Sequence, residues 1–136
     1  MMRVRVLVVP CLLALLALTA CGEERSGNAF CSAIELNIPQ LTSTMLTQEE
    51  VRAAVDAYKE VGETAPIAVR KDWEAITELL ERTAKLDTTD EAAVQALANL
   101  AYETKKPAER ARKWIKDKCG LDVATGMDVS PPTSGK

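Results

Sequence analysis

Apolar positions recur along the chain at the alternating three- and four-residue spacing of a helix face, and they do so in four runs. The first is Cys31, Ile34, Ile38, Leu41 and Met45, with Asn28 ahead of it as a candidate N-cap. Pro39 lies inside this run; the apolar phase survives it, which favours a helix that continues through the proline with a kink over one that ends there. Thr47 and Glu50 have the spacing of a capping box, Val51, Ala54, Val55, Tyr58 and Val61 follow as one stripe, and Gly62 reads as the stop of this second helix. Thr64 and Pro66 open a third, with Val69, Trp73, Ile76 and Leu80 on one face to about Leu86. Glu78 with Arg82 and Glu81 with Lys85 are favourably ordered (i, i+4) pairs along it. Thr88 with Glu91 forms a second capping-box spacing before Ala93, Leu97, Leu100, Thr104, Ala108, Ala111 and Ile115. That stripe keeps its phase through Pro107, so the pattern predicts one long helix kinked at the proline and ending where Gly120 follows Cys119.

No run alternates with the period of a strand, and the connections are short. The fold expected is therefore all-α, a small up-down four-helix bundle over residues 29–120. A polar, glycine-containing stretch at 21–28 reads as a flexible tether ahead of it. Residues 121–136, ending Ser-Pro-Pro-Thr-Ser-Gly-Lys, read as a disordered tail.

The first twenty residues follow another logic. Arg3 and Arg5 supply positive charge with no acid nearby, Val6 to Leu18 is almost wholly apolar, and small residues lead to Cys21, the layout of a secretory signal. Val6 to Ala20 is 15 positions interrupted by Pro10, short of the roughly 20 apolar residues that a membrane-spanning helix needs. Leu18-Thr19-Ala20-Cys21 resembles the lipobox of bacterial lipoproteins at every position. The resemblance implies cleavage before Cys21, lipid on its thiol and new amino terminus, and retention on the extracytoplasmic side of the cell membrane. Two acyl chains suffice for stable anchoring where one is marginal.

Cleavage would leave 116 residues, enough for one small domain, and would remove two of the 17 basic residues, taking the net charge from −3 to −5. Mild acidity gives no general argument for nucleic acid as a partner. With Cys11 discarded and Cys21 lipidated, two thiols remain, Cys31 and Cys119. In an oxidising exported compartment a lone pair most economically forms one disulfide, whereas two cysteines without histidine are too few for a closed zinc site. Four antiparallel helices bring the start of the first beside the end of the last, where these cysteines sit; an odd number would separate them.

The chain contains no histidine, so it lacks the commonest general base and metal ligand. Its six glycines are too scattered for a phosphate-cradling loop, and its carboxylates lie mostly among lysines and arginines on polar helix faces. The pattern therefore points to no catalytic residues, no metal and no cofactor. Trp73 reads as core and Trp114 as half-buried at the edge of the last stripe, the better candidate for contact with a partner. Around it, residues 105–118 carry seven basic and two acidic side chains, a local +5 against −10 for the rest of the mature chain. On a helical wheel Lys105, Lys106, Arg110, Arg112, Lys113 and Lys116 cover a broad arc opposite Ala111 and Ile115, a candidate contact for anionic lipid or wall polymer.

The lipobox, Phe30-Cys31 opening the first helix, Ala65-Pro66 opening the third and Cys119-Gly120 closing the last together resemble the small two-cysteine helical lipoproteins common in actinobacteria. That resemblance implies no activity. The functional expectation is a membrane-anchored binding or adaptor module facing an envelope protein or an anionic surface; the alternative is a carrier holding a small apolar ligand between its helices.

Overall fold

The structure is a computed structural model that describes residues 22–123, with side chains from residue 27 onward. The expected signal peptide, the expected lipidation at Cys21 and residues 124–136 of the expected tail lie outside the described residues. Four helices follow in order: α1 (Gly22–Thr42), α2 (Gln48–Glu63), α3 (Ile67–Ala84) and α4 (Glu91–Cys119). Each packs on the next and α4 returns to α1, the cyclic order of an up-down four-helix bundle. The disulfide Cys31–Cys119 ties its first and last helices, with Cα atoms 5.4 Å apart.

One aromatic side chain from each helix meets at the centre. Tyr58 of α2 stacks on Trp73 of α3 at 4.9 Å, Phe30 of α1 stands edge-on to Trp73 at 5.2 Å, and Trp114 of α4 meets Phe30 at 5.6 Å. Such offset and edge-to-face contacts stabilise beyond area burial alone. Trp73 Nε1 donates to the Tyr58 carbonyl oxygen at 2.8 Å, which gives the buried indole its partner. Ile34, Leu41, Val61, Val69, Ile76, Ala108, Ala111 and Ile115 pack around this ladder, and the buried side chains all lie within residues 30–123.

Several local expectations are changed by tertiary context. Helix α1 begins at Gly22, so residues 22–28, expected as a tether, form its first turns; extending a helix from an anchored turn costs far less than nucleating one. The inward face of α1 centres on Phe30 and Ile34, with Cys31 only half-buried. Both Pro39 and Pro107 lie inside continuous helices. The box at Thr47 is complete: its Oγ1 accepts from Glu50 N at 3.2 Å, and Glu50 Oε2 accepts from Thr47 N and Leu46 N, each at 2.8 Å.

Gly62 does not stop α2, which runs to Glu63; it makes room instead for Trp73, whose Cδ1 would lie 3.1 Å from a Cβ built there. The cap of α4 is Asp90 rather than Thr88, because Asp87 has drawn Thr89 into a turn and Asp90 Oδ1 accepts from Ala93 N at 3.1 Å. Glu81 pairs across to Lys59 of α2 at 2.6 Å and not along its own helix to Lys85. At the far end Gly120 takes φ 69°, a left-handed turn that reverses the chain. Leu121 is then half-buried and Val123 is 1% exposed, so residues 121–123, expected as the start of the tail, pack on the bundle instead.

Helix lengths explain where the core thins. From Cys31, α1 descends 11 residues to Thr42, about 16 Å, while α4 descends 28 residues from Cys119 to Glu91, about 42 Å. The stripe of α4 is accordingly buried at Thr104, Ala108, Ala111 and Ile115 but only half-buried at Ala93, Leu97 and Leu100, beyond the reach of α1.

Candidate functional site at the cystine end

The disulfide joins half-buried Cys31, within α1, to half-buried Cys119 at the end of α4, and both lie near the start of α3. A groove of about 510 Å³ opens between Gly27 and Asn28 of α1, Pro66 and Ala68 at the start of α3, and Trp114 and Lys118 of α4, with Cys31 in its wall. Its aromatic wall is fixed from behind, because Trp114 rests its ring against Phe30 in the core. Ile67, between two groove residues, is 80% exposed, the state of a first-turn helix residue with no neighbour to cover it.

The local backbone is held tightly. Thr64 N and Ala65 N donate to the carbonyls of Val61 and Gly62, both at 3.1 Å, which satisfies the end of α2. Arg70 donates through Nε and Nη2 to the Ala65 carbonyl at 3.1 and 2.8 Å, bracing the α2–α3 turn that carries Pro66.

Of the six basic residues singled out, Lys105, Lys106, Arg110, Lys113 and Lys116 are exposed and Arg112 is half-buried. They do not form one free face. Arg110 grips Asp72 of α3 with two parallel bonds, Nη2 to Oδ1 at 2.6 Å and Nε to Oδ2 at 3.0 Å; the hydrogen bond to Asp72 raises the pKa of its guanidinium. Lys113 pairs with Asp117 at 2.6 Å along α4. Lys105, Arg112 and Lys116, at spacings of seven and four, lie on the flank toward α1, whereas Lys106 and Lys113 face outward. Trp114 is half-buried, as its stripe-edge position predicts.

The electrostatics elsewhere are those of a solvated surface. Glu81 is held below the ordinary carboxylate range by its hydrogen bond to Lys59, Glu50 by the backbone amides of Leu46 and Thr47, and Asp87 by Thr89. Burial pushes the Tyr58 phenol well up. Among the described residues no cluster of histidine, cysteine and carboxylate side chains could hold a metal, and no helix is long and apolar enough to cross a membrane. The groove itself was not visible in the sequence; the only signal for it was Pro66 next to Ile67, an apolar residue off the α3 stripe. No protein-family model matches the chain, and no curated protein and no solved structure matches it.

Proposed function

We propose that this chain is an exported lipoprotein, held at the extracytoplasmic face of the cell membrane through lipid on Cys21, whose helical bundle serves as a binding or adaptor module of the envelope. The observation that carries the reading is Leu18-Thr19-Ala20-Cys21 at the end of an Arg-led apolar run, directly before the helix that the disulfide ties to α4. Anchoring at that point sets the cystine end toward the bilayer and leaves the distal half of α4, with exposed Tyr102 and Val94, pointing away. The exposed bases of α4 offer an anionic partner a salt-sensitive contact. The binding role rests on those exposed bases and on the half-buried Trp114 in the wall of the groove.

Metabolic labelling with an alkyne fatty acid tests the reading. Wild type takes up label and fractionates with membranes, and Cys21→Ala does neither. Label retained by Cys21→Ala overturns it.

A further inference from the structure

The cystine end carries an apolar rim that the core covers only in part. Ile67 is 80% exposed, Pro66 and Ala68 on either side of it line the 510 Å³ groove, and the half-buried Trp114 forms the opposite wall with Lys118 at its edge. Arg70 and Lys71 follow on the first turns of α3, with Arg70 braced on the Ala65 carbonyl, and Lys118 at the edge of the groove is exposed. The chain outside the described residues arrives at this same end. Gly22, which follows Cys21, lies nine helical residues from Cys31, about 14 Å along the axis of α1.

We infer that this rim is a membrane-docking surface, with Ile67, Ala68 and the open edge of Trp114 resting in the headgroup region of an anionic bilayer and Lys118 pairing with lipid phosphate. The chemistry fits that occupant. An indole with one wet edge and an exposed isoleucine beside it suit the boundary between headgroups and acyl chains. A lysine at the rim can lay its methylenes along apolar surface while its ammonium stays at phosphate level. Docking turns a lipid leash into a fixed orientation, with Tyr102 and the distal half of α4 presented outward. The inference rests on the anchoring reading for its biological setting, and its test is independent of whether cells lipidate Cys21.

A chain starting at Cys21 contains the whole core and carries one thiol outside the disulfide. It is coupled through that thiol to maleimide-lipid in phosphatidylglycerol vesicles, with or without bromine on the acyl chains, and tryptophan emission is read. Trp73 is 1% exposed, so the responsive indole is Trp114, and Trp114→Phe should abolish the response. Docking predicts a blue shift with quenching by brominated chains that is lost in Ile67→Glu. It is retained in Lys105→Glu/Lys106→Glu, whose changes lie down α4 from the rim. Emission identical with brominated and plain lipid overturns the inference, as would be expected if a protein or wall polymer were the true occupant. Quenching that survives Ile67→Glu, or that disappears in the Lys105/Lys106 variant, overturns it as well.

Discussion

Replacing Gly62 by alanine sets two effects of opposite sign against each other, and the structure decides between them. In an unconstrained helix the change stabilises by about 0.5–1 kcal/mol through lower backbone entropy in the unfolded chain. Here the new Cβ would meet Trp73 Cδ1 at 3.1 Å and Nε1 at 3.3 Å, closer than ordinary van der Waals contact. The indole has little freedom to retreat: it donates to the Tyr58 carbonyl at 2.8 Å, stacks on the Tyr58 ring and abuts Phe30. Overpacking of this kind costs about 1–3 kcal/mol, so the net expectation is a loss of roughly 1–2 kcal/mol. For a domain of about 100 residues each kcal/mol lowers Tm by roughly 4–8 °C. Circular dichroism melts of wild type, Gly62→Ala, Trp73→Phe and the double variant provide the assay. In the Trp73→Phe background, where the pyrrole edge is gone, Gly62→Ala should become neutral or stabilising, a coupling of the size seen for residues in direct contact. The reasoning is refuted if Gly62→Ala raises Tm in the wild type, or lowers it equally in both backgrounds. The second result would mean that the glycine acts through its own backbone.

Other expectations are equally open to measurement. Cys31→Ser/Cys119→Ser frees a closed loop with a sequence separation of 88, for which chain entropy sets an upper figure of roughly 4–5 kcal/mol. Urea titration with and without reductant should show a large fall in midpoint for wild type and none for the double variant. Glu50, whose folded pKa is depressed below its ordinary 4.5, contributes stability that is present above that value and lost as pH falls through the folded pKa. The stability gap between wild type and Glu50→Gln should accordingly narrow as pH falls below 4.5, and a gap unchanged through complete protonation of Glu50 would rule out the charged cap. Lys59→Ala should raise the carboxyl pKa of Glu81 in an NMR titration while Lys85→Ala moves it far less, since the short contact is to Lys59. Val123→Ala should cost roughly 1–2 kcal/mol from the lost methyl groups; no change would return residues 121–123 to the tail.

What the sequence disclosed divides by the distance over which each feature is decided. The Thr47–Glu50 box lies within four residues and was readable because both partners are local. The stripes of α2 and of the upper half of α4 were readable because core burial imposes a 3.6-residue period. The cysteine pairing followed from having only two thiols to pair. Features settled across helices were not legible. Glu81 had a lysine at i+4 and another on α2, and nothing in the chain says which is nearer. Gly62 has the same letter whether it ends a helix or admits an indole, and only the position of Trp73 distinguishes them. Phe30 sits one residue from Cys31, so two overlapping helical phases were available, and the aromatic ladder selects the one centred on Phe30. At the candidate site, Trp114 was identifiable from pattern, whereas Lys118, the base that lines the groove, fell outside the six singled out. The groove was not identifiable, since it exists only where α1, α3 and α4 converge, and neither was the capture of Arg110 by Asp72, 38 residues away.

The end of the bundle closed by Cys31–Cys119 is the one proposed to meet the membrane through Cys21. Intact mass of the protein extracted from membranes, measured before and after reduction, tests both parts at once. The predicted result is a chain beginning at Cys21, carrying diacylglyceryl and an amide-linked acyl chain, whose mass rises by the hydrogens of one reduced disulfide. A chain without lipid mass, or one unchanged by reduction, would contradict it.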